Sequence, residues 1–236
     1  STQVGCAMGC SYCATGKMGL VRNLTEDEII MQVLLWARHL KKTDKHINNI
    51  VFMGMGEPFL NYNNTLNAIR FINNPNYFNI GARKISISTC GIIDGIEKLA
   101  NEDLQINLAI SLHASNNKTR SKIMKVNNKY PIEKIFQVTD KYIAKTDRKV
   151  MLEYLLLDGI NDQDEHAHEL IDLLENRKLY MVNLVTYNPT GEFRKSNRLE
   201  RFKEILEKAN INVTERNSQG QSIKAACGQL VVQELT

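Results

Sequence analysis

Hydrophobic and polar residues alternate in blocks along the chain, with short aliphatic runs separated by longer amphipathic stretches. The short runs are rich in Ile, Val and Leu, and this composition predicts β-strands. They lie at Asn49–Gly54, Lys84–Cys90, Ile106–Leu112, Val150–Leu157, Met181–Tyr187 and Asn212–Arg216. The amphipathic stretches predict helices over Thr25–Lys42, Asn64–Asn73, Ile92–Ala100, Ile132–Lys145, Asp164–Glu175 and Leu199–Ala209.

The first predicted helix has a clear start signal and a periodic apolar pattern. Thr25 is followed three residues later by Glu28, which is the spacing of a capping box. Apolar residues then recur at intervals of three and four and predict one buried helix face, made of Ile29, Val33, Trp36 and Leu40.

Strands that are apolar almost throughout, each followed by a helix, favour a parallel sheet covered by helices. The strand–helix alternation has no composition break and no Gly/Ser-rich or Pro-rich linker. We therefore predict one α/β domain, as a barrel, a partial barrel or an open sheet. In each of these folds the functional site lies at the carboxyl ends of the strands.

Composition adds limits on function. A chain of 236 residues is long enough to bury a substantial core. It has no apolar run near twenty residues and no cleavable signal pattern, so we predict no membrane association. The formal charge of +4 permits a nucleic-acid partner but does not require one.

Three of the five cysteines, Cys6, Cys10 and Cys13, fall within eight residues. This spacing indicates a metal site, and an odd cysteine count argues against a disulfide framework. Structural zinc and ferredoxin-type clusters usually take four protein ligands, and no fourth Cys or His lies nearby in the sequence. Three thiolates can hold three irons of a cubane and leave the fourth iron open to S-adenosylmethionine (SAM).

The spacing Cys-x3-Cys-x2-Cys resembles the hallmark of the radical SAM superfamily. Longer motifs resemble the RlmN/Cfr family of RNA methyltransferases, which act on adenine of 23S rRNA. These motifs are STQVGCAMGCSYCATG at the start, MGMGEP at Met53–Pro58, SISTCG at Ser86–Gly91, SLHAS at Ser111–Ser115, YNP at Tyr187–Pro189 and AACGQL at Ala225–Leu230. The resemblance implies a partial (βα)6 TIM-like barrel with a 4Fe-4S cluster and SAM as cofactors.

The resemblance also implies a two-stage reaction at carbon 2 of adenine, which is not nucleophilic and so requires radical chemistry. One SAM methylates a cysteine, and Cys227 matches that position. A second SAM, bound to the open iron, gives a radical that activates the methylcysteine for addition to adenine. Cys90 matches no catalytic position and is expected to be a packed strand residue.

Further site residues follow from the same resemblance, position by position. Cys6, Cys10 and Cys13 match the cluster ligands. The residues that match SAM contacts are Gly56, Glu57, Ser88, Ser111, Leu112, His113 and Asn188.

The implied partners are 23S rRNA, tRNA as an additional substrate, and a flavodoxin-like external electron donor. We expect a cytoplasmic monomer without membrane contact. Two groups of basic residues are candidate RNA phosphate contacts: Lys118, Arg120, Lys122, Lys125 and Lys129, and then Arg194, Lys195, Arg198 and Arg201.

Residues 1–236 are expected to be a radical SAM catalytic domain cut from a longer protein. The family's resolving cysteine and its N-terminal RNA-contacting domain would lie before Ser1. Within the chain, Ser222 stands where the family usually has Asp.

Several alternatives remain open from the sequence. They are a carbon-8 adenine methyltransferase conferring antibiotic resistance, a radical SAM enzyme with another substrate, an iron–sulfur electron carrier and a zinc-bound RNA-binding module. Val4 and Pro58 favour the carbon-2 enzymes over the carbon-8 branch.

Overall fold

The computed structural model describes residues 1–216, 220, 223 and 226–231. The chain begins with an antiparallel pair, β1 (Gln3–Gly5) and β2 (Leu20–Asn23). A parallel sheet of six strands follows, with β3 (Ile50–Phe52), β4 (Ile85–Thr89), β5 (Asn107–Ser111), β6 (Val150–Leu156), β7 (Tyr180–Thr186) and β8 (Val213–Arg216) side by side in chain order. In the part of the chain described, β3 and β8 do not pair, so the predicted partial (βα)6 barrel is confirmed.

Helices connect the strands. They are α1 (Ala14–Met18), α2 (Glu26–Lys41), α3 (Tyr62–Asn73), α4 (Ile93–Leu99), α5 (Asn117–Ile123), α6 (Ile132–Thr146), α7 (Asp164–Leu174) and α8 (Leu199–Lys208). Every strand and helix predicted from the pattern is present, with ends shifted by at most two residues. Among the described residues, no helix has the length and apolar character needed to cross a membrane.

The β1–β2 pair and helices α1 and α5 were not predicted. These segments are short and largely polar, so they carry no hydrophobic period. Helix α5 begins instead with a local signal, because the side chain of Asn116 accepts a hydrogen bond from the Thr119 N–H at 2.8 Å. Tertiary contacts rather than pattern stabilise these elements.

Helix α2 confirms the predicted cap but not the predicted buried face. Thr25 Oγ1 accepts the Glu28 N–H at 3.3 Å, and the Glu28 carboxylate accepts the Thr25 N–H at 2.9 Å. Ile29 is buried, whereas Trp36 is 59% exposed. The prediction was wrong for Trp36 because α2 lies at the sheet edge beside β3, with α3 as its main neighbour.

The core contains apolar residues of the sheet and of the helices around it. Strand β6 is buried at every position except Met151, and its apolar run contains one acidic residue, Glu153, only 4% exposed. A carboxylate inside an otherwise apolar strand needs a polar partner. Glu153 therefore indicates a polar lumen within the barrel.

Candidate active site

The loop between β1 and α1 carries three cysteines and is closed by tight backbone contacts. The Cys6 N–H donates to Gly19 O at 2.9 Å, and the Cys13 N–H donates to Cys10 O at 3.2 Å. Gly5 has a φ of +77°, and a Cβ there would lie 1.9 Å from Gly19 O. Only glycine fits this position, as expected for a loop wrapped closely around a cofactor.

The cysteine loop is also anchored to the barrel on two sides. The N–H and the hydroxyl of Ser11 both donate to Ile123 O, at the end of α5, at 3.1 and 3.3 Å. The buried ring of Tyr12 meets the ring of His113 edge to face, with ring centres 5.1 Å apart. The loop therefore has a fixed position over the carboxyl ends of the strands.

A single cavity at these strand ends gathers most of the predicted site residues. Its wall includes Cys6, Cys10, Cys13, Gly56, Glu57, Ser88, Ser111, His113 and Cys227. Leu112 lies in the buried core and Asn188 lies behind Cys227, so neither side chain is part of the wall.

The three loop thiols suit an iron–sulfur cluster. Burial raises the pKa of Cys6 to about 11 and that of Cys10 to about 12, so both thiols keep their protons until a metal displaces them. Within the described ranges, no three Cys, His, Asp or Glu side chains group so as to hold one metal ion. In a cubane each thiolate binds a different iron, which fits three cysteines spread around one cavity.

Glu57 follows β3 and is fully enclosed. Its two carboxylate oxygens accept the N–H groups of Phe59 at 3.1 Å and Cys90 at 2.8 Å. Burial raises the pKa of Glu57, and these two hydrogen bonds oppose the rise. A carboxylate oxygen accepts more than one hydrogen bond, so Glu57 retains capacity toward a ligand ammonium in the cavity.

Gly56 is required by packing within the protein. Its φ is +99°, and a Cβ would lie 2.6 Å from Gln3 Cβ. Gln3 Oε1 accepts the Glu57 N–H at 2.9 Å. Gly56 therefore lets β1 approach closely enough to fix the backbone of Glu57.

Ser88 and Ser111 belong to neighbouring strands β4 and β5 and present their hydroxyls 3.4 Å apart. His113, just beyond β5, accepts the Leu155 N–H on Nδ1 at 3.0 Å. Burial, aided by the charge of Arg120, lowers the pKa of His113 to about 3. The imidazole is therefore neutral and carries its proton on Nε2, as a hydrogen-bond donor.

Cys227 reaches the cavity from the opposite side, on the segment of residues 226–231. Asn188 Nδ2 donates to Cys227 O at 3.1 Å, and Gly228 O accepts the Ala14 N–H at 2.7 Å. The residue as a whole is exposed, while its side chain lines the cavity. Burial of the thiol raises the pKa of Cys227, and the positive charge of Arg216 opposes that rise. Ser222 and Ala225 lie outside the described residues.

Two charged residues of the wall were missed from the sequence. Arg216, at the end of β8, lies 3.7 Å from Glu153 Oε2 and donates to Met53 Sδ at 3.0 Å. Because Met53 follows β3, Arg216 spans the gap between the two unpaired edges of the sheet. Glu153 could have been found as the one acidic residue in the apolar run of β6.

The basic residues predicted to contact RNA differ in burial and in ion pairing in the structure. Arg120 is completely buried, so its assignment as an RNA phosphate contact was wrong. Arg198 and Arg201 form ion pairs with Asp164, and Arg194 forms one with Asp158. The exposed lysines of the first group are Lys118, Lys122, Lys125 and Lys129.

Comparison with known proteins agrees with this site. The Radical SAM superfamily profile matches residues 1–174. A Dictyoglomus thermophilum protein named probable dual-specificity RNA methyltransferase RlmN is 49% identical over 234 residues, covering 98% of this chain and 67% of the relative. The ribosomal RNA large subunit methyltransferase N of Nitrosopumilus maritimus is 47% identical, with 98% and 66% covered. The chain belongs to the RlmN family of radical SAM enzymes.

A solved structure extends this result to the fold. The crystal structure of a radical SAM methyltransferase from Sphaerobacter thermophilus superposes with a TM-score of 0.93 at 45% identity. The match covers 97% of this chain and 68% of that one. The chain thus spans about two thirds of the length of these two relatives and of the Sphaerobacter protein.

Proposed function

We propose that this chain is the catalytic unit of a radical SAM methyltransferase acting on carbon 2 of an adenine in 23S rRNA, with tRNA as an additional substrate. The names of the relatives support an RNA substrate, since they specify dual-specificity RNA and large-subunit ribosomal RNA methyltransferases. The activity and RNA recognition of the longer protein are included in this proposal.

One observation carries the proposal. The thiol of Cys227 opens into the same cavity as Cys6, Cys10 and Cys13. An electron carrier does not need an accessible fourth cysteine beside its cluster, whereas methyl transfer through a methylcysteine does. The position of Cys227 therefore favours the methyltransferase over the other functions considered from the sequence.

The cavity residues have distinct roles in this reaction. Cys6, Cys10 and Cys13 would hold the cluster. Glu57, Ser88, Ser111 and His113 would orient SAM, with the neutral His113 donating from Nε2. Asn188 supports Cys227 by donating a hydrogen bond to the main-chain carbonyl oxygen of Cys227. Asn188 and Leu112 are also proposed SAM contacts. The cluster and SAM, when bound, supply the one-electron chemistry that an unactivated adenine carbon requires.

Cys227 must lose its thiol proton before Sγ can take a methyl group. Its surroundings raise the pKa, and the charge of Arg216 is the opposing influence. Arg216 itself is held by Glu153 and Met53. We assign Arg216 the role of favouring the thiolate at Cys227.

The exposed lysines provide a surface for RNA. Lys125 lies beside the cysteine loop, where its Cδ would be 3.9 Å from a Cβ on Gly9. Lys125 and the other exposed lysines would bind phosphates while the target adenine leaves its stack to reach Cys227. We further propose a cytoplasmic monomer that receives electrons from an external flavodoxin-like donor.

The test is nucleoside mass spectrometry of a 23S rRNA fragment incubated anaerobically with reconstituted protein, SAM and a low-potential reductant. We expect adenine modified at carbon 2, released as 2-methyladenosine or held on Cys227 as a covalent protein–RNA adduct where no second thiol resolves it, and neither product with Cys227→Ala. Cys90→Ser is the matched control, because it removes a buried sulfur from the chain but keeps a hydrogen-bond donor beside Glu57. Formation of 8-methyladenosine would contradict carbon-2 specificity, and unmodified adenine would contradict the proposed function.

A further inference from the structure

Arg120 on α5 is a buried cation without an anionic partner. Its residue is 0% exposed, and it forms no ion pair with a carboxylate in the part of the chain that the structure describes. Buried arginines are normally paired, because removing an ionised group from water is costly. The buried charge of Arg120 must therefore have either a functional role or a structural role in holding the strands to α5.

All five hydrogen bonds of Arg120 go to neutral oxygens. They reach Leu112 O at 3.0 Å, Ser111 O at 3.2 Å, Cys90 O at 2.7 Å, Tyr130 O at 3.2 Å and Asn127 Oδ1 at 3.0 Å. These dipoles replace the hydration of the guanidinium group. They do not cancel its positive charge, which remains inside the protein.

The charge lies beneath the cysteine loop. Helix α5 carries Arg120 and, one turn later, Ile123, whose carbonyl oxygen holds both hydrogen bonds from Ser11. Two of the carbonyl groups bound by Arg120 belong to Cys90 and Ser111, which are residues of the cavity wall. Arg120 also interacts electrostatically with Cys10 and Tyr12.

Three thiolates around an iron–sulfur cluster bring net negative charge into this enclosed site, and reduction by one electron adds another. A fixed positive charge nearby stabilises the reduced state more than the oxidised state. We propose that Arg120 is a positioning residue whose charge raises the reduction potential of the cluster held by Cys6, Cys10 and Cys13. This inference rests on the proposed function, because it requires the cluster.

A purely structural role is the competing explanation, since Arg120 also ties the ends of β4 and β5 to α5. The two roles differ in what they predict for the reduction potential. Loss of structure changes thermal stability and cluster yield. Loss of charge changes the potential of whatever cluster remains bound.

The test is an anaerobic redox titration of the reconstituted, SAM-free protein, followed by electron paramagnetic resonance, with a low-potential viologen as the mediator and dithionite as the electron donor. For Arg120→Gln we expect about tenfold less reduced cluster at a given potential, equivalent to about 59 mV for one electron. Arg120→Lys keeps the charge and should shift the equilibrium by less than half as much.

A second variant avoids removal of the arginine. Asn127 Oδ1 already accepts a hydrogen bond from Arg120 Nη1. Asn127→Asp would therefore put a negatively charged carboxylate in contact with the guanidinium group. It should lower the potential in the same direction as Arg120→Gln. Arg148→Gln is the matched control, since Arg148 also donates to a main-chain carbonyl group, Ile106 O, but at the opposite end of the sheet. It should leave the potential unchanged.

The outcomes separate the inference from the proposed function. Failure of the wild-type chain to bind iron and sulfide would overturn both. A normal cluster with unchanged potentials in Arg120→Gln and Asn127→Asp would overturn only the inference. Equal shifts in Arg120→Gln and Arg120→Lys would also overturn it, because they would show that geometry rather than charge matters.

Discussion

The two walls of the cavity differ in how they are held. The cysteine loop of residues 6–13 is fixed by the β1–β2 pair, by α5 and by the packing of Tyr12 on His113. Cys10 is only 8% exposed there. The segment of residues 226–231 is held by bonds from Asn188, Ala14 and Thr15, and its Cys227 is exposed.

This difference matches two chemical requirements. A cluster needs ligands in one geometry and little water, and the enclosed loop provides both. A residue that receives a methyl group and then meets an RNA base needs access from two sides. We call the cysteine loop of residues 6–13 the closed wall and the segment of residues 226–231 the open wall. The open wall gives Cys227 that access and leaves the closed wall in place.

The largest expected effect comes from removing a ligand on the closed wall. Cys13→Ser should lose most of the bound iron and all SAM cleavage, because only two thiolates would remain. Cys227→Ala should keep full iron content, since it lies on the other wall. Iron and sulfide analysis with a 5′-deoxyadenosine assay measures both, and equal iron loss in the two variants would contradict separate roles.

The free energy of unfolding should depend on pH through His113, which packs against Tyr12 of the closed wall. Its pKa in the folded chain, about 3, lies below the ordinary value of 6.5. As the pH falls through 6.5, the unfolded chain takes up a proton that the folded chain does not, so the free energy of unfolding decreases.

Between pH 7.5 and pH 5 this loss should amount to about 2 kcal/mol. His113→Asn is the matched variant, because Asn keeps a hydrogen-bond acceptor and tolerates the φ of +57° at this position. Urea unfolding at both pH values measures the difference. Parallel pH dependence in the two proteins would show that His113 does not titrate as described.

The open wall depends on Asn188. Asn188→Ala removes the hydrogen bond to Cys227 O, and a bond of this kind contributes up to about 1.5 kcal/mol. We expect methyl transfer to slow by about tenfold. Gln229→Ala is the control, since its amide also donates to a carbonyl oxygen, Pro189 O, in the same region. A comparable loss in that control would show that the effect is not specific to Asn188.

The smallest effect should come from the point where the two walls meet. Gly228 has a φ of +80°, and a Cβ there would lie 3.3 Å from Tyr12 O. Gly228→Ala should cost about 1 kcal/mol in backbone strain and reduce methyl transfer about fivefold. Gly191→Ala is the control. Gly191 has a similar φ of +96° but open space around it, so its substitution measures backbone strain without any contact between the walls. Equal losses would exclude the contact.

Much of this architecture could be predicted from the sequence because its signals are local. The strands of the sheet are continuous apolar runs, and the three cysteines stand within eight residues of each other. The β1–β2 pair could not be predicted, because strands of three and four residues acquire their stability from tertiary contacts.

The burial of Arg120 could not be predicted from the sequence. It lies among surface lysines in a polar helix, and only the fold turns it toward the strand ends. Arg216 was missed for a similar reason, since its partners Glu153 and Met53 come from distant parts of the chain. Charge in a sequence indicates solvent exposure unless long-range contacts are known.

The most direct test of the account is mass spectrometry of the peptide containing Cys227, taken from this chain after expression with iron and SAM available. The proposed role requires Cys227 to carry one added methyl group, while Cys90 in the same digest remains unmodified. In Cys13→Ser, which lacks a complete cluster site, the modification should be lost. A Cys227 thiol that is never methylated in cluster-loaded protein would contradict the central claim that this residue carries the methyl group.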